Sequence, residues 1–198
     1  MTWIFGYGSL VSPVSLESTI RRPVSLGSGM FIAELTGYQR AWNYGSAVQR
    51  GDWTRDDGSS ISGGLVVSLG LVADADESIN GVVFSVNDDE LAELDWRERA
   101  YDRVDVTDRV TLIPPTADGE LDDTVAVYVP RRVAIERYEE HRDAGTAGVR
   151  KSYWDLVDDA FGELGPDHLD WYRRTPPPDV PVVDIRLDRL PSRRPRSR

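Results

Sequence analysis

Residues 87–98 read NDDELAELDWRE, a stretch that is typical of a short amphipathic helix. Its first residue, Asn87, is a preferred N-cap because its side chain can accept from the free N–H groups of the first turn. Glu90 stands three positions later, where its side chain completes a capping box. We therefore predict a helix near residues 88–99.

One acidic side chain falls on the apolar face of this helix. At about 100° per residue, Leu91 and Leu94 define the inward stripe, and Glu98 falls between them. An unpaired carboxylate in such a position is costly to desolvate. Either a basic group pairs with Glu98 inside the protein as a structural ion pair, or the carboxylate is held there to transfer protons.

A glycine-containing turn follows the first predicted strand. The apolar run at residues 2–5 is TWIF, and residues 6–10 read GYGSL. Two glycines permit the positive φ values of a tight turn, and the exposed N–H groups suit a carboxylate or a developing oxyanion. The alternative is a plain turn without function. Val11 stands where a dinucleotide fingerprint needs its third glycine, and no Gly-Lys-Ser/Thr of a P-loop follows.

Together the two segments resemble the γ-glutamylcyclotransferase superfamily, which includes the ChaC-type proteins. The ordered pair of motifs carries the resemblance: FGYGSL at residues 5–10 and LDWRE at residues 94–98. Other similar features are the segments 35–42 (LTGYQRAW), 79–84 (INGVVF) and 126–129 (AVYV), and the spacing of Tyr138, Gly145, Gly148 and Tyr153. With these features included, the resemblance extends from the start of the chain to roughly residue 160.

The resemblance implies an α+β fold, a small closed mixed β-barrel flanked by helices, with the active site at its mouth. The pattern of the chain agrees, because strand patterns dominate and helical patterns cluster. Strands are predicted near 2–5, 30–35, 38–44, 63–69, 80–86, 101–113 and 124–129, and helices near 14–21, 88–99, 133–142, 149–162 and 167–173. The polar segment 51–62 is predicted to be a loop, a hairpin connection with a lid as the alternative.

The chain is predicted to form one domain with a short appendage. A length of 198 residues is sufficient for one substantial core, which we place at residues 1–175. A Pro-rich extension follows at residues 176–198. Its residues 180–187 are predicted to add an edge strand, and its arginine-rich end, residues 193–198, is predicted to be a disordered tail.

Charge and composition exclude several classes of protein. The net charge of −11 argues against a nucleic-acid partner, because phosphate binding requires positive potential. The absence of cysteine excludes disulfides, thiol nucleophiles and thiolate metal sites. No apolar stretch approaches the ~20 residues that span a bilayer, and the N-terminus lacks the pattern of a signal peptide. We expect a cytoplasmic protein without a membrane partner, either a monomer or a homodimer.

The resemblance also implies a reaction and the residues that perform it. In the family, the α-amine of a γ-glutamyl compound attacks its own γ-carbonyl, which forms 5-oxoproline and releases an amine or amino acid. One carboxylate can move both protons if burial raises its pKa, and the resemblance implies this general acid/base role for Glu98. The enzyme would be a carbon–nitrogen lyase or acyltransferase that takes a small γ-glutamyl substrate and needs no metal or other cofactor. The residues implied in substrate binding are Phe5, Gly6, Tyr7, Gly8, Ser9, Leu10, Tyr101 and Tyr128.

Two other functions remain open, a non-catalytic ligand-binding or scaffold protein on the same barrel and a related amide-cleaving enzyme with a changed pocket. The leaving group is also open, because Val11-Ser12-Pro13 replaces the Ile-Trp continuation of ChaC-type enzymes and Leu10 replaces an asparagine of the dipeptide-type branch. These sequence differences lie next to the substrate loop and affect the shape of the pocket, so specificity for glutathione does not follow from the resemblance.

The other candidate site residues can be explained by structural roles. Asp95 is predicted to brace the helix or to pair with an arginine. Arg97 and Arg103 are candidates for binding a carboxylate, although exposed arginines usually only solvate a surface. His141 and His168 are too far apart in the sequence for a paired metal motif, and neither HExxH nor GxSxG occurs.

Overall fold

The computed structural model describes residues 1–114, 121 and 123–188. In that part of the chain, the strands are β1 (Thr2–Gly6), β2 (Ser25–Leu26), β3 (Gly29–Thr54), β4 (Ser60–Val86), β5 (Tyr101–Asp105), β6 (Val110–Leu112), β7 (Val125–Pro130), β8 (Ala147–Arg150), β9 (Val182–Val183) and β10 (Arg186–Leu187). The helices are α1 (Pro13–Ile20), α2 (Asp88–Arg97), α3 (Arg132–Asp143), α4 (Lys151–Glu163) and α5 (Pro166–Tyr172). None of these five helices combines the length and the apolar composition that crossing a bilayer requires.

One mixed sheet organises the molecule. Its main path is β10-β3-β4-β1-β7-β5, with β2 and β6 paired to β3, β8 paired to β4, and β9 paired to β8. Strand β1 runs antiparallel to β4 and parallel to β7. Helices lie beside this single sheet instead of alternating regularly with its strands, so the predicted α+β class is confirmed. Strands β10 and β5 form the two ends of the main path, and within the described residues they are not paired with each other. Closure into a barrel therefore stays a prediction.

Strands β3 and β4 form one long hairpin, where the sequence predicts four shorter strands. The register of the hairpin shifts at four places, one of them between Thr36 and Tyr38. Gly37 lies at this shift with a φ of 83°, a left-handed conformation that glycine adopts without a steric penalty. The sequence signal that predicts an interruption therefore marks a β-bulge, which bends a strand without ending it.

The prediction of a loop over the whole segment 51–62 is wrong. Strand β3 continues to Thr54 and β4 begins at Ser60, so only residues 55–59 connect the two strands. Trp53 and Ile61 are 5% and 8% exposed and pack in a small apolar cluster with Ile185. Burial of these side chains holds the polar segment in the sheet, and the hairpin connection is shorter than predicted.

The central strand β1 positions the turn that follows it. Ile4 and Phe5 are completely buried, and burial of apolar side chains of this size contributes about 1.5–3 kcal/mol each. Gly6 is the last residue of the strand and pairs with Val82 of β4. The chain then turns at residues 7–12, so this turn begins from a strand that has partners on both sides.

The C-terminal extension adds two short strands instead of the single predicted edge strand. Strand β9 pairs in parallel with β8, and β10 pairs antiparallel with β3. The two strands therefore pair with different neighbouring strands, and residues 184–185 connect β9 to β10. The predicted arginine-rich tail at residues 193–198 lies outside the described residues, and the proposed division at residue 175 stays a prediction.

Candidate active site

A cleft opens beside the turn that follows β1. It contains about 330 Å³ of space between atoms, open solvent included. The residues that line it are Phe5, Tyr7, Gly8, Ser9, Leu10, Leu69, Glu98, Tyr101, Tyr128 and Tyr153. The structure therefore brings eight of the nine predicted site residues together around one cleft. Gly6 is not among the lining residues, and Leu69 and Tyr153 were not predicted as site residues.

The two glycines of the turn serve close packing, and neither has the positive φ that the sequence analysis expects. A Cβ atom at Gly6 would lie 2.9 Å from the Cβ of Leu10, which is closer than real Cβ atoms approach. A Cβ atom at Gly8 would lie 3.2 Å from the hydroxyl of Tyr153, inside the cleft. Glycine is therefore required because the turn folds tightly on itself and against Tyr153.

The turn leaves several backbone N–H groups without backbone acceptors. Residues 9–11 form one turn of 3₁₀-helix, in which the N–H of Val11 donates to Gly8 O at 2.9 Å. Within the described residues, the N–H groups of Gly8, Ser9 and Leu10 make no hydrogen bond to a backbone carbonyl. The N–H of Ser9 donates to the Tyr153 hydroxyl and lowers its pKa. The N–H groups of Gly8 and Leu10 therefore remain to bind an anionic group.

Helix α2 positions Glu98 at the edge of the cleft. The predicted capping box is present, with hydrogen bonds in both directions between Asn87 and Glu90. The helix ends at Arg97, two residues earlier than predicted, and Glu98 is its C-cap residue. The N–H of Glu98 still donates to Leu94 O at 2.7 Å, and Leu94 is completely buried, so the side chain of Glu98 remains on the inward face.

The carboxylate of Glu98 is both largely buried and paired. Its side chain is 14% exposed, and burial raises its pKa above the ordinary value of a glutamate. Arg97 opposes this shift, because its Nε lies 2.8 Å from Glu98 Oε1. The ion pair that the sequence offers as one alternative is therefore present, and the same carboxylate lines the cleft.

Arg97 connects the acid to the glycine turn. Its Nη2 donates to Ser9 Oγ at 2.9 Å and to Ser15 Oγ at 3.1 Å. Its Nη1 donates to Ser15 O at 3.0 Å and to Thr19 Oγ1 at 2.9 Å. The guanidinium group is thus held by four hydrogen bonds besides its pair with Glu98, which restricts its position. The sequence motif contains Arg97, but only the fold shows which groups it contacts.

Four tyrosines surround the carboxylate with neutral phenol groups. The Tyr7 hydroxyl donates to Tyr128 O at 2.8 Å, and the Tyr101 hydroxyl donates to Leu69 O at 3.3 Å. Burial raises the pKa of Tyr7, Tyr101 and Tyr128, and it raises the pKa of Tyr153 to about 12. All four phenols therefore stay protonated at neutral pH and can act as hydrogen-bond donors.

Asp95 pairs with an arginine, which is one of its two predicted roles. Its carboxylate accepts from Arg103 Nη1 at 2.8 Å and from the Tyr128 hydroxyl at 2.8 Å. This pairing leaves Arg103 outside the cleft lining. Within residues 1–114, 121 and 123–188, no group of three or more His, Cys, Asp or Glu is arranged to hold a metal ion.

Tyr153 is the main cleft residue that sequence reasoning misses. It lies in the first turn of α4, more than fifty residues after Glu98, and its ring meets Trp42 edge-on with 6.2 Å between centroids. The spacing from Tyr138 to Tyr153 is part of the family resemblance and was the available signal. Leu69 belongs to the apolar pattern of β4 and carries no comparable signal.

Comparison with known proteins identifies the relatives of this chain. A family model described as ChaC-like protein matches residues 2–147 of the 198. The solved structure of a gamma-glutamyl cyclotransferase is 14% identical, with a TM-score of 0.51 and 89% of each chain covered. A crystal structure of an uncharacterised protein from Homo sapiens is also 14% identical, with a TM-score of 0.50 and 89% of each chain covered. At this identity the two structures show a shared fold. No curated protein matches the sequence.

Proposed function

The chain belongs to the ChaC-like protein family, and from this premise we propose that it is an enzyme of the γ-glutamylcyclotransferase type. One observation supports the proposal above the others. The carboxylate of Glu98, largely buried and with a raised pKa, lines the same cleft as the glycine turn with its free N–H groups. A general base and an anion-binding backbone are the two elements that the cyclisation of a γ-glutamyl group requires.

The reaction moves two protons from the attacking nitrogen to the departing nitrogen and includes one displacement at the γ-carbonyl carbon. Glu98 takes a proton from the α-ammonium of the substrate, and the resulting amine attacks the γ-carbonyl carbon. Protonated Glu98 then gives its proton to the departing nitrogen, and its carboxylate takes the second proton from the ring nitrogen as the bond to the departing amine breaks. The products are 5-oxoproline and the released amine, which leaves with the second proton as an ammonium ion, and the carboxylate is restored. We assign the N–H groups of Gly8 and Leu10, which have no backbone acceptor, to the carboxylate or the oxyanion of the substrate.

The tyrosines and the turn orient the substrate for attack. Intramolecular cyclisation requires the amine and the γ-carbonyl to approach within about 3–3.5 Å, and such orientation can contribute many orders of magnitude in rate. Tyr101 and Tyr153 are neutral donors on the cleft wall, and Tyr7 is anchored by its bond to Tyr128 O. A cytoplasmic location and a monomeric or homodimeric state stay predictions.

The experiment that tests this function is a substrate screen. We expect the purified protein to release 5-oxoproline from at least one of three classes: γ-glutamyl dipeptides, glutathione and γ-glutamylamines. Detection of 5-oxoproline by mass spectrometry, together with the released amine, identifies the leaving group. If binding of these compounds is measurable but none is cyclised, the alternative of a ligand-binding protein on the same fold is favoured.

Turnover is expected without an added metal ion or nucleotide, because an internal nucleophile and one carboxylate complete the chemistry. The rate should therefore be unchanged after exhaustive dialysis against a chelator. Loss of activity on chelation, with recovery on addition of one divalent ion, contradicts this prediction.

Replacing Arg97 with glutamine is expected to move the acidic limb of the pH–rate profile towards higher pH. Glu98 must be ionised to accept a proton, so activity falls as pH decreases through its pKa. Arg97 lowers that pKa, and its removal therefore raises the pKa further. The measurement is kcat/KM as a function of pH, with Arg97→Lys as the control that keeps the charge. An unmoved limb in Arg97→Gln shows that the pair has only a structural role.

A further inference from the structure

A second cavity lies away from the cleft, between the outer part of the β3–β4 hairpin and the end of α5. It contains about 790 Å³ of open space and shares no lining residue with the cleft. Its walls carry two arginines, Arg40 and Arg174, and two acidic residues, Asp76 and Glu77, with the indole of Trp171 beside them. We refer to this space, defined by these five residues, as the charged cavity.

Arg40 is a buried cation without an anionic partner. It is only 1% exposed, and no carboxylate of the described residues forms an ion pair with it. Its Nε donates to Tyr7 O at 3.0 Å, and its Nη2 donates to Asn80, while its guanidinium lies over the rings of Phe161 and Tyr172 at 4.8 and 5.5 Å. Carbonyl groups accept from Nε and Nη2 and two aromatic faces pack on the guanidinium, but none of these partners carries a negative charge.

The lining of the cavity also contains one exposed arginine and two exposed acidic residues. Arg174 lies with its guanidinium 5.8 Å from the ring of Trp171, on the side formed by α5 and the residues after it. Asp76 and Glu77 lie on β4. Among residues 1–114, 121 and 123–188, none of these three charged side chains forms an ion pair. A ligand in this space would therefore meet cationic and anionic groups that have no ion-pair partner within the protein.

We propose that the charged cavity binds a zwitterionic amino acid or short peptide. The carboxylate of such a ligand is attracted to Arg40 and Arg174, and its ammonium group to Asp76 and Glu77. Charge-assisted hydrogen bonds are the stronger class, and opposite charges at the two ends of the ligand specify its orientation. Trp171 supplies an apolar face beside the bound chain. This site extends beyond the proposed catalytic function, and binding to it requires no turnover.

The test uses three probes that differ only in their charged ends. Glycylglycine carries both charges, N-acetylglycine lacks the ammonium, and glycylglycinamide lacks the carboxylate. Each is titrated into the full-length ¹⁵N-labelled protein while the indole N–H resonance of Trp171, assigned with Trp171→Phe, is followed. We expect glycylglycine to shift this resonance with saturation, and each of the other two to bind about tenfold more weakly or not at all.

Variants at the rim of the charged cavity test whether glycylglycine binds there and not in the cleft. Arg174→Gln and Glu77→Gln should each weaken glycylglycine binding by about two- to fivefold, since both side chains are exposed. Arg132→Gln, an exposed arginine on α3 outside the cavity, is the matched control and should leave binding unchanged. Arg40 is unsuitable for the first test because it also holds the turn at Tyr7.

Three results overturn the proposal. The first is an unmoved Trp171 resonance, whether or not the resonances of cleft residues such as Tyr101 shift. The second is equal binding of all three probes, which shows that the two charged ends are not recognised. The third is equal weakening by Arg132→Gln and the two rim variants, which shows a general effect of surface charge. None of these outcomes depends on whether the protein releases 5-oxoproline, so failure here leaves the proposed enzyme function standing.

Discussion

Replacing Glu98 with glutamine is expected to lower kcat by about 10²–10⁴-fold while the protein stays folded. The amide keeps the volume of the side chain, and its oxygen can still accept from Arg97 Nε. It cannot accept the proton of the substrate ammonium. Arg97 also retains its hydrogen bonds to Ser9, Ser15 and Thr19, so the substitution leaves no buried cation without partners. Both kcat, from 5-oxoproline release, and the melting temperature are measured on the same purified variant.

Glu90 offers a matched control on the same helix. It is buried, it lies 2.6 Å from Arg22 Nε, and it completes the capping box of α2, but it does not line the cleft. Glu90→Gln should therefore lower the free energy of unfolding by about 1–3 kcal/mol with near-normal kcat in the folded protein. If Glu98→Gln behaves in this way instead, Glu98 is a structural ion-pair residue. Wild-type turnover in folded Glu98→Gln contradicts the proposed mechanism.

Replacing Gly8 with valine is expected to lower kcat/KM by about 10²-fold or more, with weaker substrate binding and slower turnover together. The new Cβ would lie 3.2 Å from the Tyr153 hydroxyl and 3.7 Å from Leu69 Cβ, and both residues line the cleft. The two additional methyl groups therefore need space that is already filled or that belongs to the cleft. Steady-state kinetics and a direct binding measurement on the folded variant check this prediction.

Gly162→Val is the control for the effect of a valine as such. Gly162 lies in α4, where an added Cβ would meet no atom closer than Leu169 Cδ2 at 4.0 Å. We expect this variant to keep both kinetic constants. Unchanged constants in a normally folded Gly8→Val protein would show that the glycine turn has no part in substrate binding.

Local sequence signals were sufficient for much of the fold. The capping box of Asn87 and Glu90 depends on residues three apart, and it is present in the structure. The five predicted helices each match an observed helix within two residues at either end. Helix periodicity and capping are local properties, so they can be recognised without knowledge of the tertiary structure. The same signals do not show whether a glycine ends a strand or bends it, which explains the error at Gly37.

The sequence by itself determined which side chains we propose for the chemistry, because the ordered motifs at residues 5–10 and 94–98 contain Glu98 and the glycine turn. Only the tertiary structure decided how these groups meet. The bonds from Arg97 to Ser9 and Thr19, and the placement of Tyr153 against Gly8, join residues separated by 78 or more positions. Such contacts arise when β1, α1, α2 and α4 pack around one cleft, and local periodicity contains no information about that packing.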